Sequence, residues 1–140
     1  MQDDIRHLKS LFARYPVTLS YLFGSRAAHR ETSSSDYDFA VLFSQKIAPA
    51  RYAEYKWQLI QDLLPHLKGR QVDLVVLNDV KVPLLLKYQI IKEGKVIYQK
   101  NRRDRFLLEC DILLNWYDQQ YFEHLWHTLF TQNLAGGKIL

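Results

Sequence analysis

Two aspartates at alternate positions, Asp36 and Asp38, are the residues of this sequence best suited to metal chemistry. They open the apolar run 37–43, whose length and composition predict a strand. Because residues i and i+2 of a strand point to the same face, the two carboxylates should project side by side. Such charges repel each other unless a cation lies between them, and Mg²⁺ accepts carboxylate, water and phosphate oxygens. The spacing therefore predicts a divalent metal site.

A third acid, Asp73, lies in the apolar run 71–77, which we interpret as a buried strand. An ionised carboxylate is costly in such a place unless it is paired, hydrogen-bonded or bound to a metal. With three carboxylates, two metal ions can align the attacking and leaving oxygens of a phosphoryl centre and neutralise its charge. The three acids therefore indicate metal-assisted transfer of a nucleotidyl group.

A Gly-Ser turn ends the preceding apolar run, 17–23, and is suited to phosphate binding. Gly24 lets the backbone approach a triphosphate closely, and Ser25 can donate both its N–H and its hydroxyl group. A short helix predicted at 26–30 would add a dipole that favours anions. Arg26 is suited equally to a phosphate contact and to a surface salt bridge.

Four short segments carry a resemblance to a known family: Gly24-Ser25-Arg26-Ala27, Ser35-Asp36-Tyr37-Asp38, Val72-Asp73-Leu74 and Glu93-Gly94-Lys95-Val96-Ile97-Tyr98. They resemble the polymerase-β-type nucleotidyltransferases, with their Gly-Ser motif, Asp-x-Asp pair and third aspartate. Within that superfamily they are most similar to the minimal nucleotidyltransferase (MNT) antitoxins, the partners of HEPN-domain toxins. The resemblance implies an α/β fold with a small mixed β-sheet flanked by helices and a long C-terminal helix.

The resemblance also implies an activity, an antitoxin that transfers AMP from ATP to a tyrosine of a cognate HEPN RNase toxin. Asp36 and Asp38 would hold both Mg²⁺ ions, while Asp73 would hold the catalytic ion and help deprotonate the acceptor. Gly24 and Ser25 would bind the β- and γ-phosphates. The toxin and ATP are then the partners, and no direct nucleic-acid binding is required.

Two other functions stay open on the sequence alone. The chain is also compatible with a nucleotidyltransferase that acts on a small molecule such as an antibiotic, with or without a partner that supplies a substrate-binding domain. A non-catalytic module that blocks a toxin by contact is the other alternative. The three acids argue against the latter, because contact alone does not require them.

The composition of the 140 residues predicts one globular domain, with 48% hydrophobic and 24% charged residues. No apolar stretch is long enough to span a membrane, and the acidic start is unlike a signal peptide. A single cysteine, Cys110, excludes an internal disulfide and is typical of a reducing cytoplasm. The net charge of +4 favours attraction of nucleotides or RNA without identifying a partner.

The periodicity predicts alternating helices and strands: helix to about Tyr15, strand 17–23, strand 37–43, helix 49–67, strand 71–77, helix 83–93, strand 95–99 and helix 101–130. In the helix 49–67 one stripe should face the sheet: Ala53, Trp57, Ile60, Leu64 and Leu67. For Ser25 to meet Asp36 and Asp38, the first two strands must be antiparallel. The position of Asp73 then requires the third strand to run parallel to the second, with the helix as a right-handed crossover.

The long helix 101–130 has apolar residues on more than one face, so one face should pack on the domain and another should bind a protein partner. We expect at least one of Trp116, Tyr117, Tyr121 and Trp126 to be exposed, because their spacing rotates them around the axis. The sequence thus divides into a nucleotidyltransferase domain, 1–100, the helix 101–130 and a flexible tail, 131–140.

Two further groups have open interpretations. His124 and His127 stand three residues apart on the long helix, but no acid or cysteine completes a metal set at a recognised spacing. Five cations form a basic cluster in the sequence: Lys95, Lys100, Arg102, Arg103 and Arg105. That cluster is compatible with RNA, an acidic partner, ATP phosphates or simple solvation.

Overall fold

The computed structural model describes residues 2–24 and 36–135 of the chain. Its main helices and strands follow the predicted order: α1 Gln2–Ala13, β1 Val17–Phe23, β2 Tyr37–Phe43, α2 Tyr52–Leu63, β3 Val72–Val76, α3 Leu84–Glu93, β4 Lys95–Gln99 and α4 Arg102–Ala135. The predicted α/β class with a small mixed sheet is confirmed.

The strands form one sheet in the order β3-β2-β1-β4. The pairs β1–β2 and β1–β4 are antiparallel, whereas β2 and β3 are parallel. Both strand directions that the candidate chemistry required are therefore confirmed. As a result β2 and β3 start at one edge of the sheet, where β1 ends, and they finish at the opposite edge.

Helices cover both faces of the sheet. On one face α1 and α2 pack through a core that includes Leu8, Phe12, Phe39, Leu59 and Leu63. On the other face a smaller core contains Leu19, Tyr21, Ala40, Leu77 and Ile90, against which Leu108 of α4 also packs. The alternation along β2 separates the two cores, since Phe39 belongs to the first and Ala40 to the second.

The second helix departs from the prediction of a continuous helix 49–67. It is an α-helix only from Tyr52 to Leu63, between the 3₁₀ turns Pro49–Arg51 and Leu64–Leu67. Pro65 explains the second turn, because proline lacks the N–H that an α-helical bond needs.

The predicted buried stripe of α2 is wrong at Ala53 and Trp57, and the Trp57 side chain is 65% exposed. The sheet-facing residues are Leu59 and Leu63, with Leu67 following in the turn. Both sets follow the helical repeat and share Leu67, so periodicity alone could not decide which stripe faces the sheet.

The long helix α4 has a packed part and a projecting part. In the packed part Ile112 is buried and the ring of Trp116 stacks on Tyr88 at 4.3 Å. Every side chain from 117 to 132 is exposed, including Tyr117, Tyr121 and Trp126. The expectation that at least one of the four aromatics is exposed is confirmed, and a large apolar surface lies outside the domain.

The end of α4 lies beyond its predicted position near residue 130, because the helix continues to Ala135. Residues 131–135, predicted as tail, are therefore helical, and the remainder of that tail lies outside the described residues. The division into a domain and a helical extension stays a prediction. Within the part of the chain that the structure describes, no helix is long and apolar enough to cross a membrane.

Candidate active site

The three candidate acids lie at the sheet edge where β2 and β3 begin, which we call the acidic edge. Asp38 and Asp73 occupy paired positions on the two parallel strands. Asp36 directly precedes β2, two residues before Asp38, and therefore points to the same side of the sheet. On the other side of β2, Phe23 is the cross-strand partner of Asp38, so the residue that follows it, Gly24, also reaches this edge.

Asp38 is the half-buried member of the group, while Asp36 and Asp73 are exposed. Burial is the main cause that raises the pKa of the Asp38 carboxyl above 3.8, and the charges of Asp73 and Asp36 raise it further. The ionised form of Asp38 is therefore disfavoured first by burial and then by its two acidic neighbours. A cation beside Asp38 would offset both causes.

This raised pKa predicts a pH dependence of folding. Because ionisation of Asp38 is less favourable in the folded chain, its contribution to stability is fully present below the unfolded pKa. That contribution is lost as the pH rises from about 3.8 through the raised folded value. Asn cannot ionise, so Asp38→Asn lacks this pH dependence. As the pH rises through this range, the free energy of unfolding of the variant should therefore increase relative to that of wild type. Urea titrations at several pH values would measure the difference, and equal pH profiles would contradict the shift.

Gly24 forms the turn after β1 with a positive φ of 77°. A Cβ atom at this position would overlap the carboxylate of Asp38. Two separate requirements thus select glycine here: the left-handed backbone and the close approach to an acid of the site. The turn and the acidic edge are built as one unit.

The substitution Gly24→Ala should therefore destabilise the fold and disturb Asp38 together. Gly69→Ala is the matched control, since Gly69 has a similar φ of 74° but open space around its Cβ position. We expect Gly69→Ala to cost about 1 kcal/mol from backbone strain alone. Gly24→Ala should cost more, as measured by thermal unfolding, and should abolish the nucleotidyl transfer that the sequence predicts, as measured by an activity assay. Equal behaviour of the two variants would show that the Asp38 contact is unimportant.

The side chains of the acidic edge are suitable ligands for a divalent metal, although they do not form a complete coordination shell. Among residues 2–24 and 36–135, no group of three or more acidic, histidine or cysteine side chains is arranged closely enough to hold a metal ion as placed. The available donors are nevertheless carboxylates alone, which suit Mg²⁺. The raised pKa of Asp38 also indicates mutual repulsion that a cation would relieve.

Several predicted features differ from the structure. Asp73 was expected in a buried strand, but its side chain is exposed because β3 is the outer strand of the sheet. The desolvated acid is Asp38 instead. Ser25, Arg26 and the predicted short helix 26–30 lie outside the described residues. The exposed His124 and His127 belong to no metal-binding group in the described part of the chain.

The basic cluster of the sequence is separated by the fold. Lys95 pairs with Leu22 near the acidic edge, whereas Lys100, Arg102 and Arg103 follow β4 at the opposite edge. Arg105 donates from Nε to Glu109 at 3.0 Å and is held in that ion pair. The length of β4, five residues, therefore separates Lys95 from the other cations of the basic cluster.

The contact between β1 and α4 is not predictable from the sequence alone. The buried Tyr21 hydroxyl donates to Glu109 at 2.6 Å, and burial followed by this hydrogen bond raises the pKa of Tyr21. Glu109 thus joins the strand before Gly24 to the helix that projects from the domain. The four-residue spacing of Arg105 and Glu109 was the available signal, but nothing in the apolar run around Tyr21 indicated its partner.

Comparison with known proteins supports this arrangement. The sequence pattern of the family described as "Polymerase beta, Nucleotidyltransferase" matches residues 6–103. Protein MJ0128 of Methanocaldococcus jannaschii, whose name ascribes protein adenylyltransferase activity to it, is 33% identical over 88 residues, which are 62% of this chain and 85% of that protein.

Solved structures share the fold over almost the whole chain. A toxin–antitoxin complex with AMP-PNP contains a chain that matches with a TM-score of 0.70 at 23% identity, over 91% of this chain and 98% of that one. A complex of tri-AMPylated HEPN toxin with MNT antitoxin from Shewanella oneidensis matches with a TM-score of 0.65 at 23% identity, over 93% and 98%.

Proposed function

Because the chain belongs to the polymerase β nucleotidyltransferase family, we propose that it is an antitoxin that transfers AMP from ATP to a tyrosine of a HEPN-domain toxin. The modification would silence the toxin's RNase activity. The proposed setting is the cytoplasm, with which the single free Cys110 is compatible.

The observation that carries this proposal is the pairing of Asp38 with Asp73 on parallel strands, beside Gly24. This geometry provides carboxylates and a close backbone turn at one edge, as nucleotidyl transfer requires. The structural relatives add the acceptor class, since one of them holds an AMPylated HEPN toxin beside an MNT antitoxin.

The residues have distinct proposed roles. Asp36 and Asp38 would hold two Mg²⁺ ions, and the ions would neutralise charge on the phosphates of ATP. Gly24, Ser25 and Arg26 would bind the nucleotide's phosphates. Asp73 would hold the catalytic ion. It is exposed at the outer strand, so it can also be reached by an acceptor hydroxyl and would help deprotonate it; the hydroxyl oxygen would bond to the α-phosphorus of ATP and pyrophosphate would leave.

The variant Asp73→Asn tests the division of roles. We expect most turnover to be lost, because the amide cannot accept the proton of the acceptor. ATP affinity should change little, since the phosphate contacts proposed for Gly24 and Ser25 remain. Turnover and ATP binding measured separately would show this split. A variant with wild-type turnover would remove Asp73 from the site.

The projecting part of α4 is the proposed surface for the toxin. Its exposed apolar residues continue for four turns beyond the last contact with the domain core, which is unusual for a helix that remains in water. The same surface explains how so short a chain selects a protein acceptor: the helix would bind the toxin and present one of its tyrosines to the acidic edge.

Labelled ATP provides the direct test of the reaction. The purified chain is incubated with a candidate HEPN-domain toxin and with ATP labelled at either the α- or the γ-phosphate. Transfer of the α label alone to the toxin is expected. Transfer of the γ label would indicate a kinase, and α label found only on an added small molecule would favour the alternative enzyme. A toxin that is neutralised without label would favour the contact-only module.

A further inference from the structure

The sheet edge opposite the acids, which we call the basic edge, collects exposed cations from three separate loops. Lys46 follows β2, Lys81 follows β3, and Lys100, Arg102 and Arg103 follow β4. The ends of these strands meet at this edge because β2 and β3 are parallel and β4, like β2, is antiparallel to β1. The fold therefore unites charges that are far apart in the sequence.

These cations are not neutralised by the neighbouring acids. The ion pairs among the described residues are Arg51–Glu54 and Arg105–Glu109, and neither involves the basic edge. Asp79 accepts the backbone N–H of Lys81 at 2.9 Å, and Asp104 accepts from the side chain of Asn101 at 3.0 Å. The five cations thus remain available to an external anion across a width of about 14 Å, the span of four strands.

A cavity of about 450 Å³ opens at the same edge, between the end of β2 and the first turns of α4. Its lining includes Lys46, Thr18, Ser44, Asp104, Leu107 and Asp111. The side-chain amide of Asn78 stiffens one wall, since it accepts from the Phe43 N–H at 2.7 Å and donates to the Phe43 carbonyl at 3.0 Å. The cavity is large enough for a small planar group.

An exposed aromatic ring stands beside the cations. Phe106 is 67% exposed and lies four residues after Arg102 and three after Arg103, so the three side chains share one face of α4. Proteins bind single-stranded nucleic acids through such rows of cations next to exposed rings, since the phosphates contact the cations and a base stacks on the ring.

We propose that the basic edge binds a single-stranded polynucleotide, independently of the AMP-transfer site. Phosphates would lie on Lys46, Lys100, Arg102 and Arg103, and one base would stack on Phe106. An adjacent base would enter the cavity, where the carboxylates of Asp104 and Asp111 accept hydrogen bonds from amino groups. An acidic protein segment fits less well, because its ionised carboxylates offer neither a planar ring to stack on Phe106 nor a hydrogen-bond donor to the two aspartates.

Fluorescence anisotropy with a short labelled RNA of mixed sequence tests the proposal, with DNA of the same sequence, the RNA duplex and polyglutamate as competitors. The variant Lys46→Gln/Arg102→Gln/Arg103→Gln should bind at least tenfold more weakly than wild type. For this variant, the slope of log affinity against log salt concentration, measured between about 50 and 200 mM salt, should be smaller in magnitude by about 2. The matched control, Arg6→Gln/Lys9→Gln/Lys56→Gln, removes equal charge from α1 and α2 and should stay within twofold.

Phe106→Ala separates stacking from charge. It should weaken binding of single-stranded RNA roughly tenfold with an unchanged salt dependence. If RNA and DNA compete equally, the basic edge recognises phosphates and bases. If RNA competes better, the edge also recognises the 2′-hydroxyl group. Either result supports the proposal. Equal losses in the edge variant and its control would overturn it, as would a duplex or polyglutamate that competes as well as the single strand. AMP transfer by the edge variant should equal wild type, so failure here is distinguishable from failure of the proposed function.

Discussion

Asp38→Asn should abolish AMP transfer while leaving the fold at least as stable as wild type. The loss should reach about 10³-fold, because removing a ligand of the proposed metals forfeits several kcal/mol of transition-state stabilisation at about 1.4 kcal/mol per factor of ten. Stability should not fall, since burial and the charges of Asp73 and Asp36 make the ionised Asp38 unfavourable in the folded chain. Initial rates and thermal unfolding measure the two effects.

Glu54→Gln is the control for a change of one negative charge. Glu54 is exposed on α2, where it forms a 3.8 Å ion pair with Arg51 and accepts a 3.5 Å hydrogen bond from the side-chain amide of Gln58. Such a pair contributes little to stability, so this variant should retain wild-type rates and unfolding temperature. If Asp38→Asn transfers AMP as fast as the control, the proposed role of the acidic edge is wrong.

Tyr121→Asp should break the proposed complex with a HEPN toxin without unfolding this chain. Tyr121 is 70% exposed and lies on one face of α4 with Tyr117 and Leu125, four residues to either side. Exposed aromatic residues of this kind are frequent hot spots, and a loss of about 2 kcal/mol or more would weaken binding at least thirtyfold. Calorimetric titration with the toxin and thermal unfolding of the free chain would measure both quantities.

Two variants on the same helix complete that test. Gln120→Asp introduces the same charge one position earlier, about 100° around the helix, and should affect binding less. Ile112→Ala, in the buried part of α4, should instead cost about 2–5 kcal/mol of folding stability. If Tyr121→Asp unfolds the chain, or if it binds the toxin like wild type, the projecting helix is not the interface.

The acidic edge could be predicted from the sequence because the proposed chemistry constrained the directions of the strands. Once Ser25, Asp36 and Asp38 had to meet, only antiparallel β1 and β2 satisfied the geometry, and Asp73 then required β3 to run parallel to β2. The exposed aromatics of α4 were also predictable, since no single helical face can contain residues at those spacings.

The remaining features depend on long-range contacts that local patterns do not contain. An apolar run predicted a buried Asp73, but its exposure follows from the position of β3 at the outside of the sheet. The stripe of α2 was misassigned because Trp57 and Leu59 belong to two overlapping helical patterns. The contact from Tyr21 to Glu109 joins residues 88 positions apart and required the fold itself.

The most direct test of the proposed AMP transfer is the intact mass of a candidate HEPN toxin after co-expression with this chain. We expect toxin molecules heavier by one or more AMP groups, with the added mass mapped to tyrosine by peptide sequencing. Co-expression with the Asp38→Asn variant should yield unmodified toxin. Unmodified toxin with the wild-type chain, or equal modification with the variant, would contradict the claim that this acidic edge transfers AMP to the toxin.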